Sequence, residues 1–86
     1  MEDLKKDFRC RVCGLEQIEK PWGDDGATPS FEICDCCGVE FGYEDSTELS
    51  IKRYREDWLR RGGEWFDKKA KPIDWSLDEQ IKYVGV

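Results

Sequence analysis

No histidine occurs anywhere in the 86 residues. Its absence removes the commonest general acid–base, a leading transition-metal ligand and the usual activator of a serine or cysteine nucleophile. No nucleophile–base pair is left, so an enzyme is not expected. Cations are the smaller charge class: Lys plus Arg number 14 against 20 Asp plus Glu, a net charge of −6. That balance argues against a sequence-independent grip on a phosphate backbone, and nucleic acid is disfavoured as a partner. Long apolar runs are missing too. No window approaches the roughly 20 apolar residues of a membrane span, and the charged start at residues 1–6 lacks the apolar segment of a signal peptide. The sequence therefore reads as cytoplasmic, with no membrane partner, and its length allows one domain over residues 1–86.

Apolar residues are scarce as well. They make up 38% of the chain against 40% charged, and five of them are cysteines. Ordering a chain costs roughly 1.5 kcal/mol per residue, which nearly cancels what so thin a core returns; chains of this size commonly add disulfides or a metal.

What the sequence does have is a duplicated cysteine turn. Cys10-Arg-Val-Cys13-Gly14 and Cys34-Asp-Cys-Cys37-Gly38 are each a CxxC followed by glycine, with 20 residues between the pairs. In such a turn backbone N–H groups point toward the sulfurs and glycine supplies the positive φ that doubles the chain back. Two turns facing one ion give four thiolates at about 2.3 Å, the closed tetrahedral shell of a structural Zn²⁺, one per chain. A catalytic zinc would need an open position that two CxxC pairs fill. A disulfide framework wants an oxidising compartment and an even cysteine count. A thioredoxin-type pair wants a CxxC at a helix N-terminus in a βαβ context. Iron shares the S₄ geometry and stays open as the alternative cofactor. Ligation is assigned to Cys10, Cys13, Cys34 and Cys37. Cys36, inside the second turn, is expected to point away from the metal, as a spare or alternative ligand.

The rest of the chain is organised around these turns. Alternating Phe31 and Ile33, then Val39, Phe41 and Tyr43, predict short strands in hairpins, so that residues 7–44 hold knuckles and a short antiparallel sheet. Pro21 to Pro29 reads as a loop, and its Asp24-Asp25-Gly26 as a solvated turn in preference to a site for a hard cation. Ile51, Tyr54, Trp58 and Leu59 share one face of a helix over about 50–61, stopped by Gly62-Gly63. Its opposite face, with Lys52, Arg53, Arg55, Arg60 and Arg61, reads as solvated. Within a tail at 64–86, Ser76-Leu-Asp-Glu79 is a capping box that starts a short helix carrying Leu77, Ile81 and Val84. Trp22, Trp65, Phe66 and Trp75 exceed what a minimal metal turn needs. They are the candidate partner-binding residues, Trp22 first, for another protein of basic character.

The segment from Phe8, with CRVCG and then SFEICDCCGVEFGYED, resembles the small bacterial cysteine-rich proteins called the CPCC family and, more broadly, zinc-ribbon or rubredoxin-like proteins. It departs from the former by Arg11-Val12, where that family has proline between its cysteines, and by Asp35-Cys36 in the second turn. The resemblance covers about half the chain. The tail, with YREDWLRRGGEWF and KPIDWSLDEQIK, is similar to uncharacterised bacterial proteins of the same size and implies no activity. The expectation is a small α+β zinc ribbon, with one main helix and a short C-terminal helix, acting as a metal-stabilised protein-interaction module. A rubredoxin-like electron carrier and a nucleic-acid-binding ribbon are the alternatives.

Overall fold

A computed structural model describes residues 4–84. The first three residues of the charged start and the last two of the C-terminal tail lie outside them.

The longest element is helix α1, Glu48–Arg60. It begins two residues before the point where the apolar period predicts it, because Thr47 caps it: the Thr47 side chain accepts from the Ser50 backbone N–H, and the Ser50 hydroxyl accepts in return from the Thr47 N–H. It ends where Gly62 and Gly63 take φ of +84° and +69°, with Gly63 N–H closing onto the Trp58 carbonyl at 3.0 Å. Trp58 on its inner face is fully buried, and Ile51, Tyr54 and Leu59 pack beside it. Helix α2, Leu77–Ile81, starts at Ser76, whose hydroxyl accepts from the Glu79 N–H, and lays Leu77 and Ile81 on the same core. Three single 3₁₀ turns complete the regular structure, at Lys6–Phe8, Lys68–Ala70 and Lys82–Val84.

The short antiparallel sheet is not there, and the zinc-ribbon fold class is corrected accordingly. Among the described residues there is no strand, only two isolated antiparallel bridges, Arg9↔Glu16 and Ile33↔Glu40. The reason is local. Phe31 adopts φ +62° and Gly42 φ +97°, so both arms of the second hairpin leave extended geometry within two residues of its bridge. Nor do the alternating residues make one continuous buried face, since Val39 and Phe41 are buried but Phe31 is 57% and Tyr43 72% exposed. In the first hairpin the 3₁₀ turn at Lys6–Phe8 ends the incoming arm one residue before the bridge.

The core is therefore built on the cysteine turns. Its buried members are the five cysteines together with Val12, Val39, Phe41, Trp58 and Trp65. Helix α1 ties both turns together with two adjacent residues. Tyr54 donates its hydroxyl to the Cys37 carbonyl at 3.3 Å, and Arg55 donates Nε to the Val12 carbonyl and Nη2 to that of Arg11, each at 2.7 Å. Arg55 was expected on a solvated face; it is half-buried and serves as a clamp, and burial pulls its pKa below the ordinary arginine value. No helix among the described residues is long and apolar enough to cross a membrane.

Candidate metal centre

Each cysteine turn is built by the same three backbone bonds. In the first, Cys10 N–H reaches the Leu15 carbonyl at 2.9 Å, Gly14 N–H the Cys10 carbonyl at 2.9 Å, and Gln17 N–H the Phe8 carbonyl at 2.8 Å. The second repeats them at the matching positions: Cys34 to Val39 at 2.9 Å, Gly38 to Cys34 at 2.9 Å, and Phe41 to Glu32 at 3.0 Å. Gly14 and Gly38 hold φ of +86° and +82°, where a side chain is strained. They are also contact points, because a Cβ on Gly14 would lie 2.9 Å from the Gln80 carbonyl and one on Gly38 2.8 Å from Phe66 Cδ1.

The two turns face each other head to tail. Cys10 Sγ lies 3.7 Å from Cys37 Sγ, and Cys13 Sγ lies 3.6 Å from Cys34 Sγ. All four sulfurs are buried and within 4.8 Å of one another. A disulfide has sulfurs about 2.05 Å apart, so these are four free thiols. Four sulfurs at about 2.3 Å from a common centre would stand about 3.8 Å from each other in a regular tetrahedron, and the 3.6 and 3.7 Å pairs are close to that spacing. Four closely spaced cysteines that could bind one metal ion are thus brought together by the fold. The donor set fits a closed S₄ shell, and the geometry does not distinguish zinc from iron.

Burial and the neighbouring thiols set the electrostatics of the cluster. Burial pushes the Cys13 and Cys37 thiols well up. Cys34 is driven the other way, mainly by the thiols of Cys10, Cys13 and Cys37 donating to it, with the Cys37 backbone N–H adding to them. A bound metal would hold its cysteine ligands as thiolates.

Cys36 is fully buried yet outside this group. Its sulfur accepts from Gln80 Nε2 at 3.4 Å, and the same amide nitrogen reaches the Cys13 carbonyl at 3.0 Å. Gln80 is in turn held by the Trp75 indole N–H, 2.7 Å from its Oε1. Phe66 N–H and Asp67 N–H bond to the Cys36 and Asp35 carbonyls at 2.9 and 2.8 Å, so the chain after α1 covers the second turn.

The aromatic candidates are dispersed. Trp22 is half-buried, donates its indole N–H to a carboxylate oxygen of the fully buried Asp45 at 2.9 Å, and carries the Arg11 guanidinium 4.0 Å from its ring centre. Trp65 is buried in the core with Trp75 edge-on at 5.5 Å. Phe66 remains 64% exposed. Gln80, Gln17 and Asp45 are not singled out by sequence, and Arg55 is read there only as part of a solvated face. Each has at least one partner far along the chain, and no local pattern announces such a bond.

Comparison with known proteins adds two relatives. The chain is 29% identical over 95 residues to the uncharacterized protein YozI of Bacillus subtilis (strain 168), which covers 92% of this chain and 74% of that protein. It is 30% identical over 74 residues to the uncharacterized protein YoaQ of the same organism, covering 69% of this chain and 63% of that one. No family model matches the chain, and no solved structure matches it. What stands of the resemblance is its coarser part: this is a small cysteine-rich protein with a four-thiol cluster, similar to uncharacterized Bacillus proteins.

Proposed function

We propose that the chain is a zinc-binding domain in which Cys10, Cys13, Cys34 and Cys37 hold one structural Zn²⁺, and that it works inside the cell by binding another protein and not by catalysis. The observation that carries the metal reading is the burial of four free thiols within 4.8 Å of one another, in a core that has six other buried apolar residues among the described residues. A closed S₄ shell leaves no coordination position for a substrate. Without histidine the chain also lacks the usual partner for a nucleophile. Five free thiols suit a reducing compartment. The partner reading is supported by charge: residues 1–45, which carry both metal turns, hold 12 acidic and 5 basic residues, a balance suited to a basic protein and not to a nucleic acid.

Metal analysis and affinity capture test this together. Purified from ordinary medium, the protein should be colourless with about one zinc per chain. From its native host, the zinc-loaded chain should capture a protein that is released by salt. A red, iron-containing preparation with reversible one-electron reduction overturns the zinc assignment. Binding of DNA or RNA at physiological salt with no protein captured overturns the partner assignment.

A further inference from the structure

Between the two cysteine turns, on the side away from α1, lies a groove of ≈ 350 Å³. Its apolar surface comes from Leu15, Ile18, Ile33 and Phe41. Ile18 is 99% and Ile33 46% exposed, whereas Phe41 is buried and forms the base. The rim carries Glu16, Glu19, Glu32 and Asp35 and not one lysine or arginine. Glu16 pairs at 3.9 Å with Lys5. Glu19, Glu32 and Asp35 make no ion pair among the described residues. Exposing two isoleucines among these carboxylates costs solvation of apolar surface and adds like-charge repulsion, which no cation of the described residues offsets at Glu19, Glu32 or Asp35. The groove is also tied to the metal centre: Gln17, in its lining, donates Nε2 to Cys34 Sγ at 3.5 Å and to the Leu15 carbonyl at 3.2 Å. Its walls are the outgoing arm of one turn and the incoming arm of the other, so the four thiols set their separation.

We infer that this groove is the docking surface for the partner, and that its occupant is a basic segment of another protein that places apolar side chains over Ile18 and Ile33 and cations against Glu19, Glu32 and Asp35. The inference rests on the protein-binding reading above and gives it a place and a chemistry. Charge complementarity selects the occupant. The basic face of a second copy offers less, because Arg55, Arg60 and Arg61 are engaged within their own chain and leave Lys52 and Arg53 as its exposed cations. The location also replaces Trp22, whose indole N–H and ring face are both occupied.

The test places a photo-crosslinking benzoylphenylalanine at position 18, 33 or, as a control on the outer face of α1, 53, in the full chain expressed in its native host. Crosslinks from 18 and 33 but not 53, to a positively charged segment of another protein, are expected, and Glu19→Lys with Glu32→Lys should abolish them while one metal per chain is retained. Crosslinks from 53 alone overturn the groove and leave the protein-binding reading standing. A crosslink from 18 to a second copy of this chain overturns the occupant. No crosslink from any position on metal-loaded chain overturns the groove and the reading with it. In solution, a synthetic peptide alternating lysine and leucine should bind the zinc-loaded chain, at least about fivefold more weakly after the same double charge reversal. Equal binding by both chains overturns the charge argument.

Discussion

Replacing Arg55 by alanine removes two bonds at once, because its Nε and Nη2 each stand 2.7 Å from a carbonyl of the first cysteine turn. Hydrogen bonds from a charged donor contribute about 1.5–3 kcal/mol each. Arg55 is only half-buried, so solvent screening lowers that sum. A loss of about 2–4 kcal/mol follows. For a domain of this size 1 kcal/mol moves Tm by about 4–8 °C, so Arg55→Ala should melt about 10–30 °C below the parent chain. The comparison belongs in a zinc buffer that fixes free metal, since anything bound only to the native state raises Tm by mass action. Arg55→Lys keeps the charge but loses the fork that spans two carbonyls, and should recover about half of the loss. Metal content should stay at one per chain in both variants, because no ligand changes. If Arg55→Ala melts within a few degrees of the parent, the side chain belongs to a solvated face after all and α1 is held by its apolar residues alone.

Three further outcomes follow from single contacts. Cys36→Ser should keep one metal per chain and cost about 1 kcal/mol, since the buried sulfur lies outside the four-thiol group and accepts a bond from Gln80; loss of metal from it would move Cys36 into the ligand set. Gly38→Ala should destabilise more than Gly26→Ala, because both hold positive φ but only at Gly38 would the new Cβ meet Phe66; equal melting temperatures would mean that the cover over the second turn contributes nothing. Asp25 accepts from the Ala27 N–H and the Thr28 hydroxyl, which hold its pKa below the ordinary 3.8. The loop's stabilisation is thus fully present above that value and lost as pH falls through the lowered one. A carboxyl NMR titration should place Asp25 below the ordinary value, and a titration at or above it would show that the turn is not formed.

The residues explain what sequence could and could not reveal. The thiol cluster was legible because CxxCG is self-contained: the glycine φ and the bonds from Gly14 to Cys10 and Gly38 to Cys34 lie within five residues. Helix α1 was legible for a similar reason, from a sustained apolar period ended by two glycines. The sheet was misread because alternation says only that arms are extended. Whether they pair depended on φ at Phe31 and Gly42, and the alternating Phe31 and Tyr43 turned out to face solvent. Arg55 and Gln80 were invisible because their acceptors lie 43 and 67 residues away, on backbone carbonyls that carry no sequence signal.

With no sheet among the described residues and half of the core made of cysteine, the fold should depend on a bound metal more than a ribbon with a paired sheet would. Structural zinc supplies about 10–16 kcal/mol of apparent binding free energy, which is then folding free energy. Removing the metal with a chelator while recording the amide NMR spectrum and the thermal melt, then restoring zinc, measures that dependence. The expected result is collapse of the dispersed spectrum and loss of the cooperative melt, both recovered on adding one equivalent of zinc, with Cys10→Ser and Cys37→Ser unable to recover. A metal-free chain that keeps its dispersed spectrum and cooperative melt would contradict it.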